Sequence, residues 1–573
     1  MFRKNAASIS ASMLLLVALL ALAFLLRIWG IWNADSSDEY NEVFEALRVA
    51  SGQLNFERWI KRFYLYILAV EYGIYYAIGW IFNIFASPAD FAVKILRDPF
   101  PLFMLGRITS AILGTGSVLL TYFIGKLLYN RTVGLIAALF LCFNVVNIEL
   151  SHYARVDASL CFVVLAAFYF IARIVTEENR LLTSYIFAGI FSGIAFQNKM
   201  QAVILIFPFL YAHATGLTWK NIRQLVFSRL LIFFGLAYLT GMIIGNPAIV
   251  AAPISFIKGL TSWGSAAYTT PINETISSQI GYIAYLHYFY KELGPLLTLL
   301  AVAALGQAIF RFSTRSLLLL SFIVPFYGLM GATKYMISYS YMIPLMPFLY
   351  LLMAKTLADG FNYLSDRSEP ATSKALAAAT LVLLMVHPVL QTARFEFSMT
   401  GKNNRVLAKE WIEENIPYGS KILMDSGKTI NSFAPLIAEN EKSIQRTLNR
   451  KQYEIATNSL NDPTRMVDSS TLKYFSMLLK TVPRESYDIT STQFGLSVES
   501  IDYYIANNYE YFIISEGLKK NRTSQSFAER HPDVARFYRN LDHDSRVELI
   551  KEIKPGPGNL GQDFYIYKLR NHM

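Results

Sequence analysis

Residues 31–48, IWNADSSDEYNEVFEALR, stand directly behind an apolar run that extends from about residue 10 to residue 32. A run of about 20 apolar residues is long enough to cross a bilayer and exceeds the apolar core of a cleaved signal peptide. The chain therefore leaves a first membrane span and at once presents three acids, Asp35, Asp38 and Glu39. This order of segments predicts a membrane protein with acidic groups at the surface of the bilayer.

The composition of the 573-residue chain agrees with this prediction. Hydrophobic residues make up 54% of it, more than a soluble globular protein carries. The formal net charge is +11, but the Lys and Arg residues are scattered singly between apolar runs, so no nucleic-acid partner is predicted. The two cysteines, Cys142 and Cys161, lie inside apolar runs, and no disulfide framework is expected.

Eleven apolar runs are long enough, or nearly long enough, to cross a membrane. They lie at about 10–32, 103–128, 132–150, 158–176, 182–198, 200–217, 229–249, 286–310, 316–332, 340–358 and 374–394. A twelfth run at 66–84 is rich in Tyr, carries Glu71 near its middle and is predicted to lie along the membrane rather than cross it. The chain is thus predicted to be a polytopic α-helical membrane protein with about eleven transmembrane helices.

The positive-inside rule supports this count and predicts the orientation. With 66–84 left uncrossed, fourteen Lys and Arg residues fall on the side of the N-terminus. The short outer loops after the second span hold only four, Arg155, Lys199, Lys258 and Lys334. We therefore expect a multi-pass protein of the plasma (inner) membrane with a cytoplasmic N-terminus.

Two domains are predicted. Residues 1–394 form the transmembrane domain, whose first outer loop, about 33–102, includes helices at the membrane surface. Residues 395–573 have the composition of a soluble domain, with strand-like runs at 421–425, 511–515, 547–553 and 564–569 between helical stretches. This second part is predicted to be an extracytoplasmic α/β domain.

The acids of the opening stretch have two interpretations. Ser36 and Glu39 fit a capping box, so Asp38 and Glu39 can be first-turn acids that complement the dipole of a surface helix. A further acid, Asp157, lies at the outer end of the predicted fourth span. An ionisable residue at that place is a candidate for function, which favours a catalytic role for the acids.

Several segments in this order resemble the glycosyltransferase C superfamily, and within it the dolichyl-phosphate-mannose protein mannosyltransferase and aminoarabinose transferase type. They are the Asp38-Glu39 pair, GRITSAILGTGSVLLTYFIGKLLYNRTVGLIAALFL (106–141), SHYARVDASL (151–160), GIAFQNKMQAVILIFPFL (193–210), KYMISYSYMIPLMPFLYLL (334–352) and AKEWIEENIPYGSKI (408–422). The resemblance spans nearly the whole chain and is strongest over residues 30–350. It implies the superfamily's membrane fold and a transferase of class EC 2.4.

The resemblance also implies roles for single residues. The loop Asp that acts as catalytic base corresponds to Asp38, with Glu39 beside it, and a second loop acid corresponds to Asp157. Lys199 and Lys334 match positions near the donor, with Tyr335 and Tyr339 as hydroxyl donors. The phosphate site before the interfacial helix corresponds to Lys61 or Arg62, although the chain lacks the proline turn that members often carry there.

Such an enzyme transfers a sugar from a polyprenyl phosphate to a lipid, glycan or protein hydroxyl at the outer face. A carboxylate must take the hydroxyl proton, which is worth typically 10²- to 10⁴-fold in rate. Direct displacement of the phosphate inverts the anomeric centre. Fixed cations stabilise the leaving phosphate, and Arg155, Lys199, Lys258 and Lys334 supply one cation for each outer loop. Each can instead be a side chain that reaches lipid headgroups, and Arg155 can pair with Asp157.

We expect no required cofactor or metal. His152 and His287 are candidate ligands for a divalent ion, but two scattered imidazoles are more often structural.

Three other functions stay open at this point. A proton-coupled transporter would use the same acids, a glycan ligase or polymerase would use a lipid diphosphate donor, and a scaffold would bind partners without catalysis. Transporters usually show paired repeats with matching helix breaks, whereas here the acids gather at one rim and a soluble domain follows.

Overall fold

The computed structural model describes most of the chain and divides it into two compact units. The described residues are 2–52, 62–176, 181–215, 227–251, 253–254, 256–257, 281–333, 337–425, 435–461, 476–480, 482–492, 495–556 and 558–570. Unit 1 consists of Met1–Ile31, Glu45–Glu71 and Met104–Glu396, and unit 2 of Trp32–Phe44, Tyr72–Phe103 and Phe397–Met573. The predicted division at residues 394 and 395 stays a prediction.

The N-terminal two-thirds of the described chain is helical. The helices are α1 (Phe2–Ile28), α2 (Ser37–Ala50), α3 (Arg62–Ile81), α4 (Pro88–Arg97), α5 (Phe100–Leu128), α6 (Arg131–Cys142), α7 (Val145–Ser151), α8 (Val156–Thr176), α9 (Leu182–Asn198), α10 (Ile206–Ala214), α11 (Arg229–Gly245), α12 (Ala248–Ala251), α13 (Gly281–Arg311), α14 (Thr314–Gly331), α15 (Met346–Ser365) and α16 (Pro370–Ser398). Short 3₁₀ turns cover Ile31–Asn33, Met200–Leu205 and Tyr339–Met342.

Seven helical segments among the described residues are long and apolar enough to cross a membrane. They are Ser12–Asn33, Phe63–Ile81, Phe100–Leu128, Val156–Thr176, Gly281–Arg311, Thr314–Gly331 and Pro370–Ser398. Helices α6 and α7 together form an eighth candidate, bent by 63°. The bend has a local cause, because the Asn144 side chain accepts the N–H of Asn147 and starts a new helix.

These helices confirm the predicted multi-pass membrane protein. A helix lies in each of the eleven predicted spans. Several of these helices are too short or too polar to cross a membrane by themselves, so the number eleven stays a prediction. The run at 66–84, expected to lie along the membrane, falls mostly within α3, which has the length and apolarity of a span. Its placement and the predicted orientation stay predictions.

Glycine allows two helices of unit 1 to touch along their backbones. A Cβ at Gly189 of α9 would lie 2.5 Å from the carbonyl oxygen of Phe234 in α11. A Cβ at Gly241 of α11 would collide with the carbonyl oxygen of Ile190 and lie 2.8 Å from its carbonyl carbon. Membrane helices gain much of their association energy from such close packing, because lipid removes the hydrophobic advantage of larger side chains.

The other large part of the described chain is the α/β region that begins after α16. Its elements are α17 (Asn404–Asn415), β1 (Lys421–Met424), α18 (Glu441–Asn461), β2 (Asp488–Ser491), α19 (Ile501–Ala506), β3 (Tyr511–Ser515), α20 (Glu516–Thr523), α21 (Gln525–Arg530), α22 (Pro532–Asn540), β4 (Val547–Ile553) and β5 (Phe564–Leu569). The strands form one sheet in the order β2-β1-β3-β5-β4. Strand β1 pairs in parallel with β2 and β3, whereas β5 runs antiparallel to β3 and β4.

Strands β1 and β3 contain uninterrupted apolar runs, ILM and YFII, because both faces of the sheet are covered. Ile422 and Met424 of β1 belong to one apolar cluster, and Leu423 between them belongs to another. Alternate side chains of a strand point to opposite faces, so two clusters require an uninterrupted apolar run. The predicted α/β domain and its four strands are confirmed, and β2 is an additional strand.

Asp425 follows β1 and is buried, with 1% of its surface exposed. Its Oδ1 accepts hydrogen bonds from the Tyr538 hydroxyl at 2.6 Å and the Thr492 hydroxyl at 3.2 Å. Burial disfavours the charged carboxylate and raises the pKa of Asp425 to about 6 from an ordinary value of 3.8.

The glycine contacts predict that Gly241→Ala destabilises the protein and that Gly235→Ala does not. The added methyl group at Gly241 meets backbone that must move, whereas a Cβ at Gly235 of the same helix meets nothing within 4 Å. Overpacking costs about 1–3 kcal/mol, and an open helical site gains up to about 1 kcal/mol from Ala. Thermal unfolding in detergent measures both, and equal midpoints for the two variants would contradict the packing.

The raised pKa of Asp425 leads us to expect that the sheet of unit 2 loses stability as the pH rises from about 4 to about 6. Over that range the unfolded chain releases the proton while the folded chain keeps it, a difference on the order of 3 kcal/mol. Asp425→Asn should remove this dependence and make the sheet more stable than the wild type at pH 7. Hydrogen exchange of β1 and β3 peptides, corrected for intrinsic rates, measures the effect.

The control for that measurement is Asp533→Asn, which changes an acid whose side chain is 89% exposed. It should follow the wild type at every pH. A pH profile of Asp425→Asn that matches the wild type would show that another group is responsible.

Candidate functional site

A buried charge cluster lies at the start of α8 in unit 1. Asp157 stands in the first turn of that helix and is 1% exposed. The Arg155 guanidinium lies 3.2 Å from its Oδ2, and the Lys199 ammonium forms an ion pair with Oδ1. Two cations share one carboxylate, so the cluster Arg155–Asp157–Lys199 carries a formal charge of +1.

The break between two helical segments positions Lys199. Helix α9 ends at Asn198, a 3₁₀ turn begins at Met200, and Lys199 between them has an extended backbone with φ −153° and ψ 138°. Its side chain is therefore not aligned with the face of α9, and it points to Asp157. The ammonium also lies 5.0 Å from the centre of the Tyr341 ring, a cation–π distance.

Tyr339 connects this cluster to a second acid. It lies in the 3₁₀ turn Tyr339–Met342, which Ser338 caps by accepting the N–H of Ser340. The Tyr339 hydroxyl donates to Oε1 of Glu149 at 2.8 Å. The charge of Arg155 acts on both Tyr339 and Glu149, so cluster and acid belong to one electrostatic environment.

A cavity of about 640 Å³ opens beside Glu149 and Tyr339. Its lining residues come from α7, α13, α15 and α16 and from the turns beside them. They are Asn144, Val146, Glu149, Tyr288, Phe289, Tyr290, Lys291, Glu292, Gly294, Pro295, Tyr339, Met342, Ile343, Met346, His387 and Gln391. Since Tyr290 and Lys291 are exposed, the cavity reaches the surface of unit 1.

Helix α13 is interrupted where it meets the cavity. Gly294 has φ 68° and ψ 176°, and Pro295 follows it. Proline has no N–H, so the carbonyl of Lys291 four residues earlier loses its helical donor. That carbonyl accepts instead from Gln391 Nε2 at 2.7 Å and faces His387 Nε2 at 3.0 Å. The neighbouring Glu292 accepts from Asn144 Nδ2 at 2.6 Å.

In unit 2, the acids of the first outer loop lie where α2 begins, as predicted. Asp38 is exposed and Glu39 is buried. Asp35, just before the helix, accepts from Nη1 of Arg405 at 2.8 and 2.9 Å. The Arg405 guanidinium also lies 5.1 Å from the ring of Tyr40. Arg405 thus contacts one residue before α2 and one residue in its first turn.

Comparisons with known proteins identify the fold. A family profile described as dolichyl-phosphate-mannose-protein mannosyltransferase matches residues 103–249. An oligosaccharyltransferase of Archaeoglobus fulgidus in its apo form is 12% identical, with a TM-score of 0.50, and the match covers 89% of this chain and 70% of that one. The chain therefore shares the fold of this oligosaccharyltransferase.

Two further solved structures match the chain. The Archaeoglobus enzyme, AglB, in complex with an inhibitory peptide and a dolichol-phosphate has a TM-score of 0.50 and 12% identity over 88% of this chain and 69% of that one. ArnT from Cupriavidus metallidurans bound to undecaprenyl phosphate has a TM-score of 0.46 and 10% identity over 98% of each chain. No curated protein sequence matches the chain.

Only some of the other candidate site residues predicted from the sequence lie within the described part of the chain. Lys61, Lys258, Lys334 and Tyr335 lie outside the described residues, and Arg62 begins α3 with a side chain that is not described. Of the candidate metal ligands, His152 has its ring nitrogens 2.9 and 2.8 Å from backbone carbonyl oxygens of Ile148 and Trp29. Where the structure describes side chains, it groups no three His, Cys, Asp or Glu residues as metal ligands.

Sequence reasoning missed Glu149 and Glu292 as candidates. A signal for both was present, since Glu292 lies inside the predicted span 286–310 and Glu149 at the end of 132–150. Ionisable residues within membrane spans are rare and usually face the interior of the helix bundle or a cavity. The cavity that both acids line depends on the breaks between α6 and α7 and within α13. The periodicity of apolar residues in the sequence does not reveal these breaks.

The charge cluster predicts a large loss of stability for Asp157→Asn. The change removes the carboxylate that both Arg155 and Lys199 contact in a largely buried site, which costs about 3–5 kcal/mol. The control is Asp359→Asn, which also removes a carboxylate shared by two cations, Arg311 and Lys355, but at a partly exposed site. That change should cost about 1 kcal/mol or less. Equal losses in thermal unfolding would contradict the burial argument.

Proposed function

We propose that the chain transfers a sugar from a polyprenyl-phosphate donor to an acceptor hydroxyl, with inversion at the anomeric carbon. The acceptor oxygen attacks that carbon, the bond to the phosphate oxygen breaks, and the phosphate leaves with the bonding electrons. The hydroxyl proton passes to a carboxylate, for which Asp38 is the proposed base with Glu39 in support. The acceptor is a lipid, a glycan or a protein, and the reaction takes place at the extracytoplasmic face.

The cluster Arg155–Asp157–Lys199 is the observation that carries the proposal. A leaving phosphate gains charge, and fixed cations in a site of low dielectric stabilise that charge strongly. The shared carboxylate holds both cations in place before the donor arrives, which removes part of the ordering cost. Lys334 and the hydroxyl groups of Tyr335 and Tyr339 are proposed to assist at the same phosphate.

The family profile supports a monophosphate donor over a diphosphate donor, because its description names dolichyl-phosphate-mannose. AglB, whose fold the chain shares, was solved with a dolichol-phosphate, which supports a polyprenyl carrier.

The prediction is that Asp38→Asn strongly slows transfer without abolishing donor binding. Asparagine keeps the shape of the side chain but cannot take the proton, so the rate should fall about 10²-fold or more. The purified full-length protein is incubated with radiolabelled polyprenyl-phosphate sugars, and the labelled product and the bound donor are both measured. Glu39→Gln should cost less.

The matched control is Asp90→Asn. Asp90 is also a first-turn acid of a surface helix in unit 2, at the start of α4 after the N-cap Ser87. It has no proposed catalytic role, so transfer should stay near the wild-type rate. Near-normal transfer by a folded Asp38→Asn protein would assign the base elsewhere, and Asp157→Asn is then the variant to examine.

A further inference from the structure

The cavity in unit 1 lies between two interrupted membrane helices. One interruption separates α6 from α7 at Phe143 and Asn144, and the other is the Gly294-Pro295 break in α13. Both breaks line the cavity with Asn144 and Gly294 themselves. Non-helical backbone at membrane depth is tolerated only where it is buried in protein or faces a cavity, and membrane proteins place substrate sites at such breaks.

Each break brings one carboxylate to the cavity. Glu149 lies one turn after the first break and Glu292 two residues before the second, and the two acids interact electrostatically. Glu149 accepts from the Tyr339 hydroxyl, and Glu292 accepts from Asn144 Nδ2 and from the backbone N–H groups of Val145 and Val146. A carboxylate has about four acceptor positions, so both acids keep capacity for donors from a ligand.

The rest of the lining is aromatic and aliphatic. Tyr288, Phe289 and Tyr290 are consecutive residues of α13, and Met342, Ile343 and Met346 come from the end of the 3₁₀ turn and the start of α15. The volume of about 640 Å³ falls within the range of small-molecule sites, about 300–1,000 Å³. Apolar walls with a few convergent acceptors suit a ligand that has both C–H faces and several hydroxyl groups.

The same chemistry argues against other occupants. An isoprenoid tail alone would leave the open acceptor positions of both acids without donors, and a phosphate would have to give up its hydration beside two acidic side chains. A bare metal ion would be too small for the space, and the described residues supply no third ligand of the usual kind. A hydroxylated ring satisfies the acids and covers the apolar wall.

We propose that this cavity binds the sugar ring of the donor, with Glu149 and Glu292 accepting hydrogen bonds from its hydroxyl groups. The inference rests on the proposed function, which puts the donor phosphate at Arg155 and Lys199. Tyr339 and Glu149 lie within the field of Arg155, so a ring in the cavity stands next to a phosphate on the cluster. The ring must lack a carboxylate of its own, because a third acid would be desolvated beside Glu149 and Glu292.

The test measures the affinity of the full-length protein in lipid nanodiscs for three ligands. They are bare polyprenyl phosphate, blocked as its methyl ester so that it carries the same single phosphate charge as a sugar-linked lipid, the same lipid with a neutral hexose and the same lipid with a hexuronic acid. The neutral sugar should raise the affinity at least tenfold over the bare lipid, and the uronic acid should not. Glu292→Gln should lower the affinity for the neutral donor about tenfold and leave that for the bare lipid within twofold.

Two other variants make the result specific. Glu71→Gln changes an acid of the same unit that accepts from Thr109 and does not line the cavity, so both affinities should stay at wild-type values. Met346→Trp fills the cavity without removing a charge and should abolish the preference for the sugar-bearing lipid. A preference that survives both Glu292→Gln and Met346→Trp would overturn the assignment of the ring to this cavity.

The bare lipid separates this inference from the proposed function. If no polyprenyl phosphate binds, or if Lys199→Ala leaves its binding unchanged, the phosphate site fails and the inference fails with it. If the bare lipid binds through Lys199 but the three ligands do not differ, only the sugar site fails. A methyl glycoside that binds through Glu292 while bare lipid is saturating would assign the cavity to the acceptor and overturn the donor assignment.

Discussion

The ion pairs of Asp157 with Arg155 and Lys199 are the constraint on which the rest of unit 1 depends. Three charged groups lie almost out of contact with water, and such burial is tolerated only when the charges compensate one another. The arrangement requires that the start of α8 and the end of α9 stay in register. A shift of either helix would separate a cation from the carboxylate at a cost of several kcal/mol.

The glycine contacts of α9 supply that register from a distance. Helix α9 approaches the backbone of α11 at Gly189 and Gly193, where any side chain would intrude on carbonyl oxygens. The contact fixes how far α9 extends and therefore where Lys199 leaves it. Packing between uncharged backbones thus determines the geometry of a charge cluster, and the cluster in turn penalises slippage of the packing.

The sequence predicts parts of this arrangement and not others, for physical reasons. Membrane spans and the strands at 421–425 and 511–515 are recognisable because their apolar runs report burial directly. Strand β2, DITS, was not predicted because it is short and polar and buries only Ile489. Asp157 and Lys199 were nominated separately, since 42 residues divide them and no local pattern records their contact. The pair of Asp35 and Arg405 is separated by 370 residues and leaves no local signal either.

The break in α13 has a consequence for how the cavity behaves over time. Many interrupted helices can become continuous again, because the backbone needs only to regain its hydrogen bonds when a ligand departs. Here the residue at the break is Pro295, and no change of conformation gives it an N–H to return to Lys291. The break in α13 is therefore fixed by the covalent structure of Pro295. The cavity therefore does not depend on a ligand to open it, at the permanent cost of a weakened α13.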